Sequence, residues 1–222
     1  MTNDPTGKSG RLIAIGDIHG HALALRRLLE LIVPQADDVL VTLGDYVNRG
    51  PDSCGVLETL LELRQRCNSI SILGNHDEMM LESRTDRHAE RRWRSQGGTE
   101  SLKSYGNNDS TGDVPESHWE FLEACRPSYE TDDWIFTHAN YCWYAPLDQQ
   151  PVSLLRWISI VEEPPRRHLS GKIVILGHTP GLIRDAGAYR CLDTGCGFGG
   201  NLTALDLTTN HVWQATEEGT PV

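Results

Sequence analysis

The 222-residue chain has no apolar run that approaches the ~20 residues needed to span a bilayer, nor a charged, apolar and small-residue succession like a signal peptide. It also has no Cys-x-x-Cys pair. The six cysteines, Cys54, Cys67, Cys125, Cys142, Cys191 and Cys196, are scattered, which speaks against a zinc–thiolate site and against a disulfide framework. Cys191 and Cys196 are the only close pair and read as ordinary reduced thiols. Positive charge is in deficit: 20 Lys and Arg stand against 31 Asp and Glu, for a net charge of −11. A dedicated nucleic-acid binder would be basic. Internal repeats and low-complexity segments are missing too. From these absences a soluble, cytoplasmic protein is expected, with neither nucleic acid nor membrane expected as partner. The length suits one domain able to bury a core, here expected over residues 11–222 behind a loose polar tail at residues 1–10.

What is present is an alternation of apolar runs and amphipathic stretches. Strands are expected at residues 12–15, 39–43 and 70–73, and helices at 22–32, 54–66 and 77–94. Pro51-Asp52-Ser53 supplies the start of the second helix. Strand–helix–strand units of this length imply parallel strands. Residues 82–127 are rich in charge and Trp and read as a mostly helical insertion over the site, with a turn-prone stretch at residues 106–112. The last third returns to strands near 134–137, 173–176, 188–192, 202–206 and 211–214. The expected fold is α/β, with two mixed sheets packed as a sandwich and helices outside.

Five short polar segments follow these apolar runs: Gly16-Asp17-Ile18-His19-Gly20, Gly44-Asp45-Tyr46-Val47-Asn48-Arg49-Gly50, Gly74-Asn75-His76-Asp77, Thr137-His138-Ala139 and Gly177-His178-Thr179-Pro180. Ligand sites collect at strand ends in α/β sheets. Each segment alone has a plain alternative. Asp17 could cap the following helix, Asp45 could form a solvated ion pair, and Asn75-His76-Asp77 could be a helix start. His138 and His178 could be structural. Five such coincidences at strand ends are improbable together. The remaining candidate ligands, Asp17, His19, Asp45, Asn75, His138 and His178, suit two borderline cations, Mn first and Fe or Zn as alternatives, rather than Mg. Arg49 could grip an anion bidentately.

As an ordered set, these motifs resemble the PPP-type metallophosphatases of the calcineurin-like phosphoesterase superfamily. The spacing, the Trp93…Gly97-Gly98 segment, and Asp193-Thr194-Gly195 followed by Gly200-Asn201-Leu202 resemble most the branch of bacteriophage lambda protein phosphatase and its bacterial relatives. The resemblance implies that Asp17, His19 and a bridging Asp45 hold one metal. It gives the second metal to Asp45, Asn75, His138 and His178, phosphate binding to Arg49, and the general-acid role to His76. Two positions depart from the family pattern. Asn48 stands where a carboxylate usually orients the catalytic His, and the second phosphate-binding arginine is not obvious. Arg156 is the candidate, with Arg166 and Arg167 behind it. The implied activity is a metal-dependent phosphomonoesterase, a protein serine/threonine phosphatase in which water held between the metals attacks phosphorus directly. The alternatives are a dinucleoside-tetraphosphate hydrolase and a catalytically weak phospho-ligand binder. The basic run Arg84, Arg87, Arg91, Arg92 and Arg94 reads as a solvated helix face, or else as a guide for phosphorylated substrates. Trp93, Trp119, Trp143 and Trp157 read as core or rim packing.

Overall fold

The computed structural model describes residues 10–106 and 110–222, so residues 1–9 of the expected tail and part of the 106–112 turn lie outside the described residues. Three parallel strands open the chain: β1 (Leu12–Ile15), β2 (Val39–Thr42) and β3 (Asn68–Ser71), joined through helices α1 (Ala22–Ile32) and α2 (Ser53–Leu63). Helices α3 (Asn75–Ser83), α4 (Arg87–Trp93), α5 (Thr99–Ser104) and α6 (Glu116–Glu123) follow. Strands β4 (Ser128–Glu130) and β5 (Trp134–Thr137), helix α7 (Val152–Trp157) and strands β6 (Ile173–Leu176), β7 (Arg184–Asp185) and β8 (Tyr189–Cys191) come next. The hairpin of β9 (Asn201–Asp206) and β10 (Val212–Thr216) closes the fold.

The strands form two mixed sheets, ordered β10-β9-β1-β2-β3 and β4-β5-β6-β8-β7. Period-2 alternation decides what each strand residue touches. Ala14, Val41, Phe136, Ile175 and Leu205 meet between the sheets, giving a dry central layer. Ile13, Ile15 and Leu40 face the other way, toward Leu25, Leu28, Val56, Leu57 and Leu60 of α1 and α2. On the far side, Ile135, Val174 and Leu176 pack with Tyr141, Leu155 and Ile160. Strands apolar on both faces must be covered twice, and this layering does so.

Differences from the sequence reading have local causes. The helix expected over residues 77–94 is two helices, because the Asp86 carboxylate accepts the His88 N–H at 2.7 Å and starts a new one. The third strand is shifted to Asn68–Ser71, two residues earlier than expected, leaving Ile72 as a single bridge to Arg126. The short strands β4 and β7 and the helix α7 lie outside the elements the sequence predicts, since they lack apolar periodicity. Among the described residues, no helix is long and apolar enough to cross a membrane.

Candidate metal centre and active site

All five motifs converge where β1, β2, β3, β5 and β6 end. The chain leaves each strand through unusual backbone. Among the described residues, seven non-glycine residues have positive φ, and five of these are His19, Asp45, Asn48, Arg49 and His178. Such conformations cost of order 1–3 kcal/mol each and gather at functional sites. Asp17 and His19 therefore do not share a face by continued strand geometry; His19 turns into the left-handed region at φ 45° instead. Close approach requires glycine at positions 74 and 177, among others. A Cβ at Gly74 would overlap the Asp45 carboxylate, and one at Gly177 would overlap that of Asp17.

Asp17 does not cap α1; its Oδ2 accepts the His178 backbone N–H at 3.0 Å, and its buried Oδ1 has no hydrogen-bond partner among the described residues. Asp77, expected from the sequence only as part of a helix start, organises the whole second loop. Its carboxylate accepts the backbone N–H groups of Asp45 and Tyr46 at 2.8 Å each, Val47 at 3.4 Å and Gly74 at 3.0 Å.

The histidine tautomers test whether cations fit. His138 Nδ1 lies 2.8 Å from the Leu43 carbonyl, His178 Nε2 lies 3.1 Å from the Trp157 carbonyl, and His19 Nδ1 lies 3.2 Å from the Val47 carbonyl. A carbonyl only accepts, so each of these nitrogens carries the proton and the other nitrogen of the ring keeps a lone pair. The lone pairs of His138 Nε2 and His178 Nδ1 then face each other at 3.2 Å, with Asn75 Oδ1 3.0 Å from both and Asp45 Oδ1 3.5 Å from His138 Nε2. On the other side, His19 Nε2 faces Asp45 Oδ2 at 3.5 Å. Converging lone pairs repel one another unless a cation sits among them, so the donor set fits divalent metals on both sides of Asp45.

Charge gives the same answer. Burial, with Asp193 and Asp45 nearby, holds the Asp17 carboxyl well above its ordinary range. Burial pushes Asp45 up to about 7 and Asp193 up to about 6. The imidazoles move the other way for the same reason, His138 to about 4 and His178 to about 3, with His19 well below its usual value. Crowded buried carboxylates and neutral imidazoles are a ligand set waiting for positive charge.

Arg49 and His76 stand beside this cluster. Arg49 Nη2 is 3.3 Å from His76 Nε2, its guanidinium stacks 4.1 Å from the Phe198 ring, and its buried Nε has no hydrogen-bond partner among the described residues. The His76 Nδ1 meets the Asn48 side-chain amide at 2.7 Å. Sequence reasoning missed what holds Asn48: Ser101 Oγ donates to its Oδ1 at 3.1 Å, while its backbone N–H donates to Ser101 at 2.8 Å and to Ser53 at 3.2 Å. The insertion thus does more than cover the site. Its α5 steadies Asn48, and the Gly97 carbonyl accepts the Arg49 backbone N–H at 3.3 Å. Burial, then the Arg49 charge, pushes His76 down to about 3.

Arg156 is not offered to the cluster. It is buried, its Nε donates to the Leu73 carbonyl at 3.2 Å, and Nη1 forms an ion pair with Glu78. Arg167 donates to the backbone carbonyls of Gly171 and Gly187, and Arg166 stacks on Trp143. The second phosphate-binding arginine expected from the sequence is therefore not assembled here, because α7 turns Arg156 to the part-exposed Glu78. The basic run is interleaved with acids: Arg84 pairs with Glu116 and Glu123, Arg92 with Glu82, and Arg94 with Glu90. Trp93 and Trp119 are core, whereas Trp143 and Trp157 are part-exposed.

A profile of the family described as calcineurin-like phosphoesterase matches residues 10–191. Serine/threonine-protein phosphatase 1 of Salmonella typhimurium is 30% identical over 202 residues, covering 85% of this chain and 88% of that protein. A symmetrical bis(5'-nucleosyl)-tetraphosphatase of Methylococcus capsulatus is also 30% identical, over 268 residues, covering 88% of this chain and 91% of that protein. A solved protein provisionally named a diadenosine tetraphosphatase shares the fold with a TM-score of 0.71 at 23% identity, over 95% of each chain.

Proposed function

The chain belongs to the calcineurin-like phosphoesterase family, and from that premise we propose that it is a metal-dependent phosphomonoesterase acting on phosphoserine and phosphothreonine in proteins. The observation that carries the hydrolytic reading is the pair of facing lone pairs on His138 and His178, ringed by Asn75 and the buried carboxylates. Asp17, His19 and Asp45 would hold one divalent cation, and Asp45, Asn75, His138 and His178 a second, with Mn the first choice.

Such cations, when bound, polarise phosphoryl oxygens and acidify water. The residues of the chain do the rest. Only Asp17 and Asp45 among the six ligands are anionic, so the loaded site keeps a positive balance toward a phosphate dianion. Arg49, stiffened by Phe198, donates to phosphoryl oxygens. His76 delivers a proton from Nε2 to the departing oxygen. The approaching dianion raises the imidazole's affinity for its second proton. Nδ1–H then needs an acceptor, which Asn48 provides by turning its amide. The Ser101 hydroxyl donates or accepts equally well and so tolerates either orientation.

The two relatives are equally identical and similarly covered, so both protein and dinucleotide substrates have support, and the substrate is decided by turnover. Turnover of phosphoserine peptide against diadenosine tetraphosphate, with Mn added, decides between them. A tenfold or greater kcat/KM advantage for the dinucleotide would reverse the assignment.

Metal binding carries its own prediction. Asp45, pushed up to about 7, is protonated at pH 5.5 and must lose that proton to bind a cation. Mn affinity, measured by calorimetry, is expected to be more than ~10-fold weaker at pH 5.5 than at pH 8, because one proton is displaced. Elemental analysis should find two metals per chain at pH 8. Chelation should abolish activity, and Mn should restore it better than Mg. Full turnover by metal-stripped protein would overturn the reading.

A further inference from the structure

Beside the metal ligands lies a cavity of about 540 Å³ lined by Asn75, Met79, Ser95, Gln96 and Trp157 among others. Asn75 joins it to the centre, since the same side chain faces both His138 and His178. Trp157 is 38% exposed and tied at both ends. Its indole N–H donates to Glu78 Oε2 at 2.6 Å, and its carbonyl accepts from His178 Nε2 at 3.1 Å. Glu78 is in turn held by the buried Arg156, which is anchored on the Leu73 carbonyl. A part-exposed indole fixed this firmly is a preorganised wall, with little ordering left to lose when a flat group lies against it. The Met79 thioether suits an aromatic neighbour. Ser95 and Gln96 bring hydroxyl and amide groups to the same cavity, and Gln96 sits at the kink where the helix breaks, at φ −104°, ψ 23°.

We propose that this cavity receives the leaving group of the phosphoester and that Trp157 sets its chemistry, selecting a leaving group that carries a planar aromatic ring. The inference rests on the phosphoesterase reading and extends it beyond phosphoserine and phosphothreonine. Arg156 acts as a positioning residue, fixing Trp157 through Glu78. The ring could belong to a phosphotyrosine or to a nucleoside base; the shared chemistry is the flat face.

The test separates ring recognition from turnover. Calorimetry on Mn-loaded protein compares phenylphosphonate with methylphosphonate. Wild-type protein is expected to bind the phenyl compound about tenfold more tightly. Trp157→Ala should erase that preference without changing methylphosphonate binding, and Trp157→Phe should keep most of it. No preference in the wild type, or an undiminished one in Trp157→Ala, overturns the proposal. Kinetics then identify the source of the ring. A KM increase of about tenfold in Trp157→Ala confined to a phosphotyrosine peptide points to an aryl ester, and one confined to diadenosine tetraphosphate points to the base. An equal rise for a phosphoserine peptide, or no rise for any substrate, rejects the role. A wild-type protein that binds phenylphosphonate selectively but hydrolyses none of the three would keep the ring pocket and sink the phosphoesterase reading instead.

Discussion

Asp45→Asn is expected to lower kcat/KM on a phosphoserine peptide by ~10³-fold or more, since cation-derived charge stabilisation is worth several kcal/mol and each 1.36 kcal/mol is a factor of ten. Asparagine fills the same space, and the backbone N–H at position 45 still has Asp77 to receive it. What the change removes is the negative charge placed between the two ligand clusters. Metal content by elemental analysis should fall in parallel. A second measurement distinguishes lost chemistry from a damaged fold. In metal-free protein the folded-state pKa of Asp45, about 7, lies above its unfolded value near 3.8. The carboxyl therefore contributes stability below the unfolded value, and that contribution is lost as pH rises through about 7. Metal-free Asp45→Asn should accordingly unfold at a higher temperature than metal-free wild type at pH 8, with the difference shrinking toward pH 4. Wild-type turnover in Asp45→Asn would remove Asp45 from the centre, and a lower unfolding temperature at pH 8 would mean that the substitution damages the loop.

His76→Ala carries the next largest expectation, a loss of ~10²-fold or more on phosphoserine peptide, within the usual range for general acid catalysis. The loss should be much smaller on p-nitrophenyl phosphate, whose leaving group hardly needs a proton. Asn48 sharpens this test. Its amide faces His76 Nδ1 at 2.7 Å but brings no charge, and burial with Arg49 holds the ring neutral, at about 3 before substrate arrives. A carboxylate at position 48 would raise the affinity of the ring for its second proton. Asn48→Asp is therefore expected to raise phosphoserine turnover and to move the alkaline limb of the pH–rate profile upward. Ser101 can donate to the new carboxylate, which eases its burial. Equal losses on both substrates for His76→Ala would reduce His76 to a phosphate-orienting group. An unmoved alkaline limb for Asn48→Asp would show that positions 48 and 76 do not share a proton.

Much of this molecule is legible along the chain. The runs at Leu12–Ile15 and Ile173–Leu176 are apolar at every position, which only strands buried on both faces satisfy, and both are strands. The six candidate ligands were nameable because a His, Asp or Asn directly after such a run emerges at the sheet's edge. Elements with no apolar periodicity were not legible. The two-residue strand β7 and the polar β4 exist because a neighbouring strand offers them an edge to pair with.

The sequence alone therefore determined the alternation of strands and helices, the layering of the core, and which side chains arrive at the strand ends. These follow from side-chain periodicity and backbone preference, both properties of near neighbours in the chain. Tertiary structure alone decided the rest. It turned the buried Arg156 away from the centre to Glu78, made Asp77 the organiser of the Asp45 loop, and brought Ser101 to Asn48 across 53 positions. It also placed Trp157 beside the metal ligands. Each of these outcomes depends on which partner lies within hydrogen-bond reach after folding, and a buried charge or polar group takes the nearest satisfying partner wherever that partner lies in the chain.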